Sequence, residues 1–132
     1  MVLSCWDYLP FVPMFTEAEG YAELGMFMEA WECLEDFPAV QRSHPEALRV
    51  RLQCCTGLER WELGEDLARI VGEFSNPLRF REVAGRFHLA HARHLAEAGK
   101  TTEAKEQVRI MARSWPEGRL TVLDDSTLGE LF

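Results

Sequence analysis

No apolar run in the 132-residue sequence approaches the roughly 20 residues that a membrane-spanning helix needs, so no span is expected. Cationic residues are outnumbered, 14 against 22 acidic ones, and the net charge of −8 and pI near 5.0 argue against a dedicated nucleic-acid binder. Lysine is scarce: Lys100 and Lys105 apart, every cation is arginine. The four cysteines (Cys5, Cys33, Cys54 and Cys55) include no C-x-x-C pair, which excludes a disulfide scaffold and fits free, mostly buried thiols in a reducing cytoplasm. Cys54 and Cys55 are neighbours, and on a helix they point about 100° apart, so packing is expected of them rather than redox chemistry. The glycines are scattered, with no phosphate-binding loop, and no Ser/His/Asp or Cys/His grouping has a recognisable local context. Neither a catalytic residue nor a cofactor is therefore expected. Residues 1–8 lack the basic start of a signal peptide, and Asp7 and Pro10 interrupt the apolar stretch. Leu3-Ser4-Cys5 has no hydrophobic stretch before it, which argues against lipidation.

What is present is apolar content and helical spacing. Hydrophobic residues make up 47% of the chain and charged residues 27%, too apolar for disorder and ordinary for a folded domain. After residue 15 almost every stretch reads as helix. Thr16 and Glu19 form a capping-box pattern ahead of a short helix that stops near Gly25. Phe27, Ala30, Trp31, Leu34 and Phe37 make one apolar stripe, which Pro38 ends or disrupts. Ser43 and Glu46 form a second capping-box pattern, with Pro45 inside the first turn. Leu48, Leu52, Cys55 and Leu58 follow on one helix, then Trp61, Gly64, Leu67, Ala68, Val71 and Phe74 on its partner. Asn76-Pro77 opens a long helix to about Ala98, ending at Gly99. A further helix carries Ala104, Val108, Met111 and Trp115 before Pro116 and Gly118 break the chain. A short tail helix at 126–131 would be capped by Asp125 or Ser126. Trp31, Trp61 and Trp115 lie on or near the second-helix stripes and are expected in the core.

The chain thus reads as three helical hairpins in tandem. Aligning their second helices superposes Ala30, Gly64 and Ala104, at spacings of 34 and 40 residues. A small residue belongs where two helices cross closely. Three segments carry the pattern: Gly25, Phe27 and Ala30; Glu59, Trp61 and Gly64; Gly99, Thr101 and Ala104. Together they resemble the tetratricopeptide repeat (TPR) family over roughly residues 11–118. The departures are Glu59 in place of a glycine, Thr101 in place of an aromatic, Leu52 where a small residue belongs, and a third unit whose first helix is about two turns too long. The resemblance implies an all-α, right-handed α-α superhelix of about three helix pairs, with units at about 11–44, 45–76 and 77–118 and a short C-terminal cap at 119–132. The N-terminal Trp6, Tyr8, Leu9, Phe11 and Phe15 and the tail residues Leu120, Val122, Leu123, Leu128, Leu131 and Phe132 would cover the two ends.

The resemblance also implies function: a non-catalytic module, in a cytoplasmic and bacterial setting, that binds a peptide or partner helix in a concave groove lined by the first helices. By frame the groove residues are Phe15, Glu19, Arg49, Gln53, Thr56, Arg86, Leu89 and Arg93, flanked by Ala22, Glu23 and Glu97. Arginine grips carboxylates with two hydrogen bonds, which points to an acidic partner. Arg49 and Gln53, with Arg86 in the next unit, resemble the carboxylate clamp of chaperone-binding TPR domains, although Val12, Phe15 and Ala90 do not match the remaining clamp positions. The competing reading is that these arginines pair with nearby glutamates. A second functional reading is self-assembly. Residues 1–66 carry a net charge of −9 and residues 67–132 a net charge of +1, so copies could stack head to tail, or else meet as a dimer through one patch used twice. His88, His91 and His94 form H-x-x-H-x-x-H, but steps of three fan them across about 120° of helix surface. They are expected to pack rather than hold a metal.

Overall fold

The computed structural model describes residues 15–72 and 78–130, and every regular element among them is helical. The first hairpin is α1 (Thr16–Glu23) and α2 (Phe27–Glu35), followed by a single turn, α3 (Ala39–Arg42). The second is α4 (Pro45–Leu58) and α5 (Trp61–Gly72), and the third α6 (Leu78–Glu97) and α7 (Thr101–Ser114). A 3-10 turn (Pro116–Gly118) leads into α8 (Arg119–Asp124) and α9 (Ser126–Gly129). The expected helices are present. Pro38 acts earlier than expected, because α2 already ends at Glu35 and Pro38 caps the extra turn α3. Residues 1–14, the Asn76-Pro77 start signal, Leu131 and Phe132 lie outside the described residues.

The turns between paired helices repeat one backbone device. Gly25, Glu59 and Gly99 all have left-handed φ, at 78°, 57° and 80°. They are spaced 34 and 40 residues apart, as are Ala30, Gly64 and Ala104. A left-handed residue ends a helix by turning the chain back across it. Glu59, which departs from the repeat pattern in sequence, adopts the glycine-like conformation all the same.

Two of the caps differ from expectation. Thr16 is already inside α1 with Phe15 as N-cap, and no side chain caps the helix. Glu19 instead pairs with Arg49 at 3.0 Å. At α4 the cap is His44, whose Nδ1 accepts from the Glu46 backbone N–H at 3.0 Å, while the Ser43 hydroxyl donates back to the Ala39 carbonyl. In both cases a carboxylate that would close a capping box is drawn to an arginine instead. Asp125 does cap α9, accepting from Thr127 and Leu128 at 2.9 Å each.

The core is three apolar clusters in chain order. The first joins Phe15, Ala18 and Ala22 of the first hairpin to Ala30 and Leu34, then to Ala47, Val50 and Cys54 of α4. The second joins Leu52 and Cys55 of α4 to Leu67, Ala68 and Val71 of α5 and to Phe80, Ala84 and Phe87 of α6. The third joins Leu89, Ala92 and Leu95 of α6 to α7 and to Val122 and Leu128 of the tail. The first helices α4 and α6 therefore each serve two clusters from two faces. Cys54 and Cys55 show the division residue by residue: adjacent in sequence, they enter different clusters. Stacking of neighbouring hairpins, rather than closure around one centre, is what buries these faces.

Small residues allow the close crossings. Ala30 and Ala104 are fully buried, and a β-carbon on Gly64 would run into the Phe87 ring. Trp115 is buried as expected, against Gly85 and Gly118. Trp31 and Trp61 are only half-buried. Trp31 is roofed by guanidinium groups, with Arg51 4.5 Å and Arg60 5.3 Å from its ring centre. The tail covers the third hairpin through Val122 and Leu128, whereas Leu120 and Leu123 face outward at 71% and 68% exposure.

Candidate functional site

The first helices converge on one cavity of about 360 Å³. On α4, Arg49, Gln53 and Thr56 lie at i, i+4 and i+7, so one helical face presents all three. On α6, Arg79, Glu82, Val83 and Arg86 follow the same spacing. Glu23 of α1 and Phe27 of α2 complete the wall. Gly57 is required beneath it, because a β-carbon there would fall 2.1 Å from the Phe27 ring.

Charge in this cavity is organised by Glu46, which is largely buried. It accepts from Arg49 Nε at 3.0 Å on its own helix and from Arg79 Nε at 2.8 Å on α6. Arg49 reaches back to Glu19 of α1, also at 3.0 Å. Burial pushes the Glu46 carboxyl upward, but the two arginines outweigh it and hold the group below its ordinary value. Arg86 pairs with Glu82 at 2.8 Å on the exposed rim. The groove arginines thus do pair with nearby glutamates, and Arg86 is the most accessible of them.

Of the eight residues expected from the frame, Arg49, Gln53, Thr56 and Arg86 line this cavity. Glu19 is tied to it through Arg49. Phe15 and Leu89 are not groove residues: at 2% and 5% exposure they lie in the first and third clusters. Apolar side chains at these frame positions are worth more inside the stack than on its surface. Arg93 bonds Asp125 in the tail, with Nε 2.9 Å from Oδ2, and is not among the cavity residues. Among the flanking residues, Ala22 is buried. Arg79, Glu82 and Val83 were missed, although their spacing with Arg86 is legible in the sequence.

The histidine run lies on the other side of α6. His88 and His91 are buried and His94 is exposed, so the fan of about 120° separates them by environment. The His91 ring stacks on Trp61, 4.9 Å between centres and 4° from parallel. His88 Nδ1–H donates to Gln107 Oε1 at 2.8 Å, and Gln107 Nε2 donates to Glu65 at 3.1 Å. His91 Nδ1 lies 3.4 Å from the same Glu65 oxygen. Burial lowers the pKa of both histidines, with Glu65 opposing it. This polar chain ties α5, α6 and α7 together. Among the described residues no three His, Cys, Asp or Glu side chains are grouped to hold a metal ion. Burial pushes the Cys54 and Cys55 thiols up to about 11, which leaves them protonated and unreactive at neutral pH.

Fold and site together define an all-helical protein of consecutive hairpins with a charged cavity between its first helices. No helix among the described residues is long and apolar enough to cross a membrane. Compared with protein-family models, curated proteins and solved structures, the chain matches none.

Proposed function

We propose that this protein is a non-catalytic interaction module of the tetratricopeptide-repeat type, a right-handed superhelix that holds an extended peptide or partner helix against α1, α4 and α6 in a cytoplasmic setting. The observation that carries the reading is the shared cavity: side chains from all three first helices surround it, and Arg49, Gln53, Thr56 and Arg86 meet there from sequence positions up to 37 apart. The matched spacings of left-handed turns and small residues support the repeat frame. Because its wall is already fixed by ion pairs, the groove presents ordered side chains, and the entropy of ordering falls mainly on the partner. The exposed guanidinium of Arg86 favours an acidic segment.

The test is selection of an acidic peptide library on the parent protein, followed by affinities for Arg86→Ala and Thr56→Glu. Arg49 is too deeply paired to serve as the probe, since its loss would disturb the fold. Selected peptides should weaken about tenfold on either variant, in line with loss of a charge-assisted hydrogen bond. Peptides that bind both variants as well as the parent would remove the groove from consideration.

Self-assembly is a second reading, supported by the outward-facing Leu120 and Leu123 on α8. Light scattering across salt concentrations distinguishes the two. A module of this kind stays monomeric throughout, whereas an assembly grows: at low salt if charge drives it, and at high salt too if the exposed leucines do.

A further inference from the structure

A second, larger cavity of about 540 Å³ opens between α5 and α7, floored by α6. His88 reaches it from a position two residues past Arg86, about 200° around the helix, so this cavity lies on a different side of α6 from the groove. Its volume falls in the range of small-molecule sites, about 300–1,000 Å³, which combine an apolar floor with a few fixed polar groups. Here the apolar part is Ala68, Gly72 and Ile110. The polar part is unusually well fixed for a surface pocket, because His88 and Gln107 are 8% and 9% exposed and bonded to each other.

The charges decide what could occupy it. The charged lining is Arg69, Arg113 and Glu65. Glu65 already accepts from Gln107 and faces His91. Arg69 is held by Asp66 at 3.0 Å. Arg113 has no ion-pair partner among the described residues, whereas Arg49, Arg79 and Arg86 in the groove are all paired. A guanidinium without an ion pair among the described residues, beside the apolar Ala68, Gly72 and Ile110, suits a carboxylate carried on an apolar stem.

We propose that this cavity binds a small aliphatic carboxylate, its acid group on Arg113 and its stem on Ala68, Gly72 and Ile110. The site is independent of the groove, so either can fail without the other. Nuclear magnetic resonance titration of the full chain with hexanoate tests it, with hexanol as the uncharged probe. Hexanoate should give saturable amide shifts at Ala68, Gly72, Ile110 and Arg113 in the millimolar range. Hexanol should bind about tenfold more weakly, and Arg113→Gln should weaken hexanoate by a similar factor. Arg109→Gln is the matched control, since Arg109 sits on the same helix but pairs with Glu106 at 2.8 Å; it should titrate like the parent. Both arginines are exposed, so neither change threatens folding. Shifts that never saturate, hexanol binding as tightly as hexanoate, or equal titrations of Arg113→Gln and the parent would each overturn the proposal.

Discussion

Gly64 of α5 sits beneath the ring of Phe87 of α6, so closely that a β-carbon on Gly64 would fall 2.2 Å from Phe87 Cε2. Phe87 is itself fully buried among Leu52, Ala84 and Val71, which leaves its ring nowhere to move. Gly64→Ala therefore sets two effects against each other. Helix propensity favours alanine by about 1 kcal/mol. Overpacking a filled core costs about 1–3 kcal/mol, and more where backbone must shift. We expect a net loss of up to about 2 kcal/mol in urea unfolding. Gly20→Ala is the internal contrast: nothing lies within 4 Å of its β-carbon position, so the same substitution should stabilise by about 0.5–1 kcal/mol. If both changes move the midpoint in the same direction, close helix crossing is not what fixes Gly64.

Glu59 occupies the left-handed turn that Gly25 and Gly99 fill in the other hairpins. A residue with a β-carbon pays about 1–2 kcal/mol for that conformation and glycine does not. Glycine is more flexible in the unfolded chain, which returns part of the difference. Glu59→Gly should then raise stability by about 0.5–1 kcal/mol, and Glu59→Val should lower it, because β-branching makes the left-handed region worse. Thermal unfolding of the pair checks this; a destabilised Glu59→Gly would mean that the Glu59 side chain contributes something the turn geometry does not reveal.

Acid should weaken the fold in a window set by histidine. Burial lowers the folded-state pKa of His44, His88 and His91 below the ordinary value of about 6.5. Above that value both folded and unfolded chains hold these rings neutral. As pH falls below it, the unfolded chain takes up protons first and stability declines. The slope is at most about 1.4 kcal/mol per pH unit for each histidine. Glu35, Glu46 and Asp125 are shifted in the same direction, below the ordinary carboxyl values, because arginines and backbone N–H groups favour their charged forms. Their contribution is present above about pH 4 and is lost only as pH falls further, so it leaves the histidine window alone. Urea midpoints should therefore drop between about pH 7 and pH 5, and His88→Gln should flatten part of that drop. A midpoint unchanged across the window would contradict the burial of these rings.

The hairpins were legible because apolar spacing of three and four marks helices wherever a face is buried, and because Gly25 and Gly99 punctuate them. The register of the repeat was legible in Ala30, Gly64 and Ala104. Phe15 and Leu89 went astray for a physical reason: a frame assigns a direction to each position, but an apolar side chain near an edge of the face turns inward. The capping boxes failed because Glu19 and Glu46 had a better partner than a backbone N–H, and that partner, Arg49 or Arg79, comes from elsewhere in the chain. The role of Arg93 was hidden similarly by Asp125, 32 residues away. The cavity between α5 and α7 combines residues from three helices with no shared local motif, and only packing brings them together.

The linkage Glu19–Arg49–Glu46–Arg79 runs from α1 through α4 to α6, and its centre is shielded: the side chains of Arg49 and Glu46 are 10% and 13% exposed. Removing one partner of a buried pair leaves the other charge without compensation and typically costs about 3–5 kcal/mol. Here some water access and the Glu19 carboxylate that still pairs with Arg49 reduce this, so Glu46→Gln should cost about 2–4 kcal/mol. Glu82→Gln removes a carboxylate from the exposed pair with Arg86 and should cost less than about 0.5 kcal/mol. Salt separates the two further, because 1 M salt screens over only about 3 Å in solvent and reaches a buried pair poorly. The penalty of Glu46→Gln should persist in 1 M salt, while any penalty of Glu82→Gln disappears. A double-mutant cycle of Glu46→Ala with Arg49→Ala should give a coupling above about 1 kcal/mol, since each single change strands the other member of the pair. Equal, salt-sensitive penalties for the Glu46 and Glu82 variants would show that the linkage is a surface feature rather than the tie between the stacked first helices.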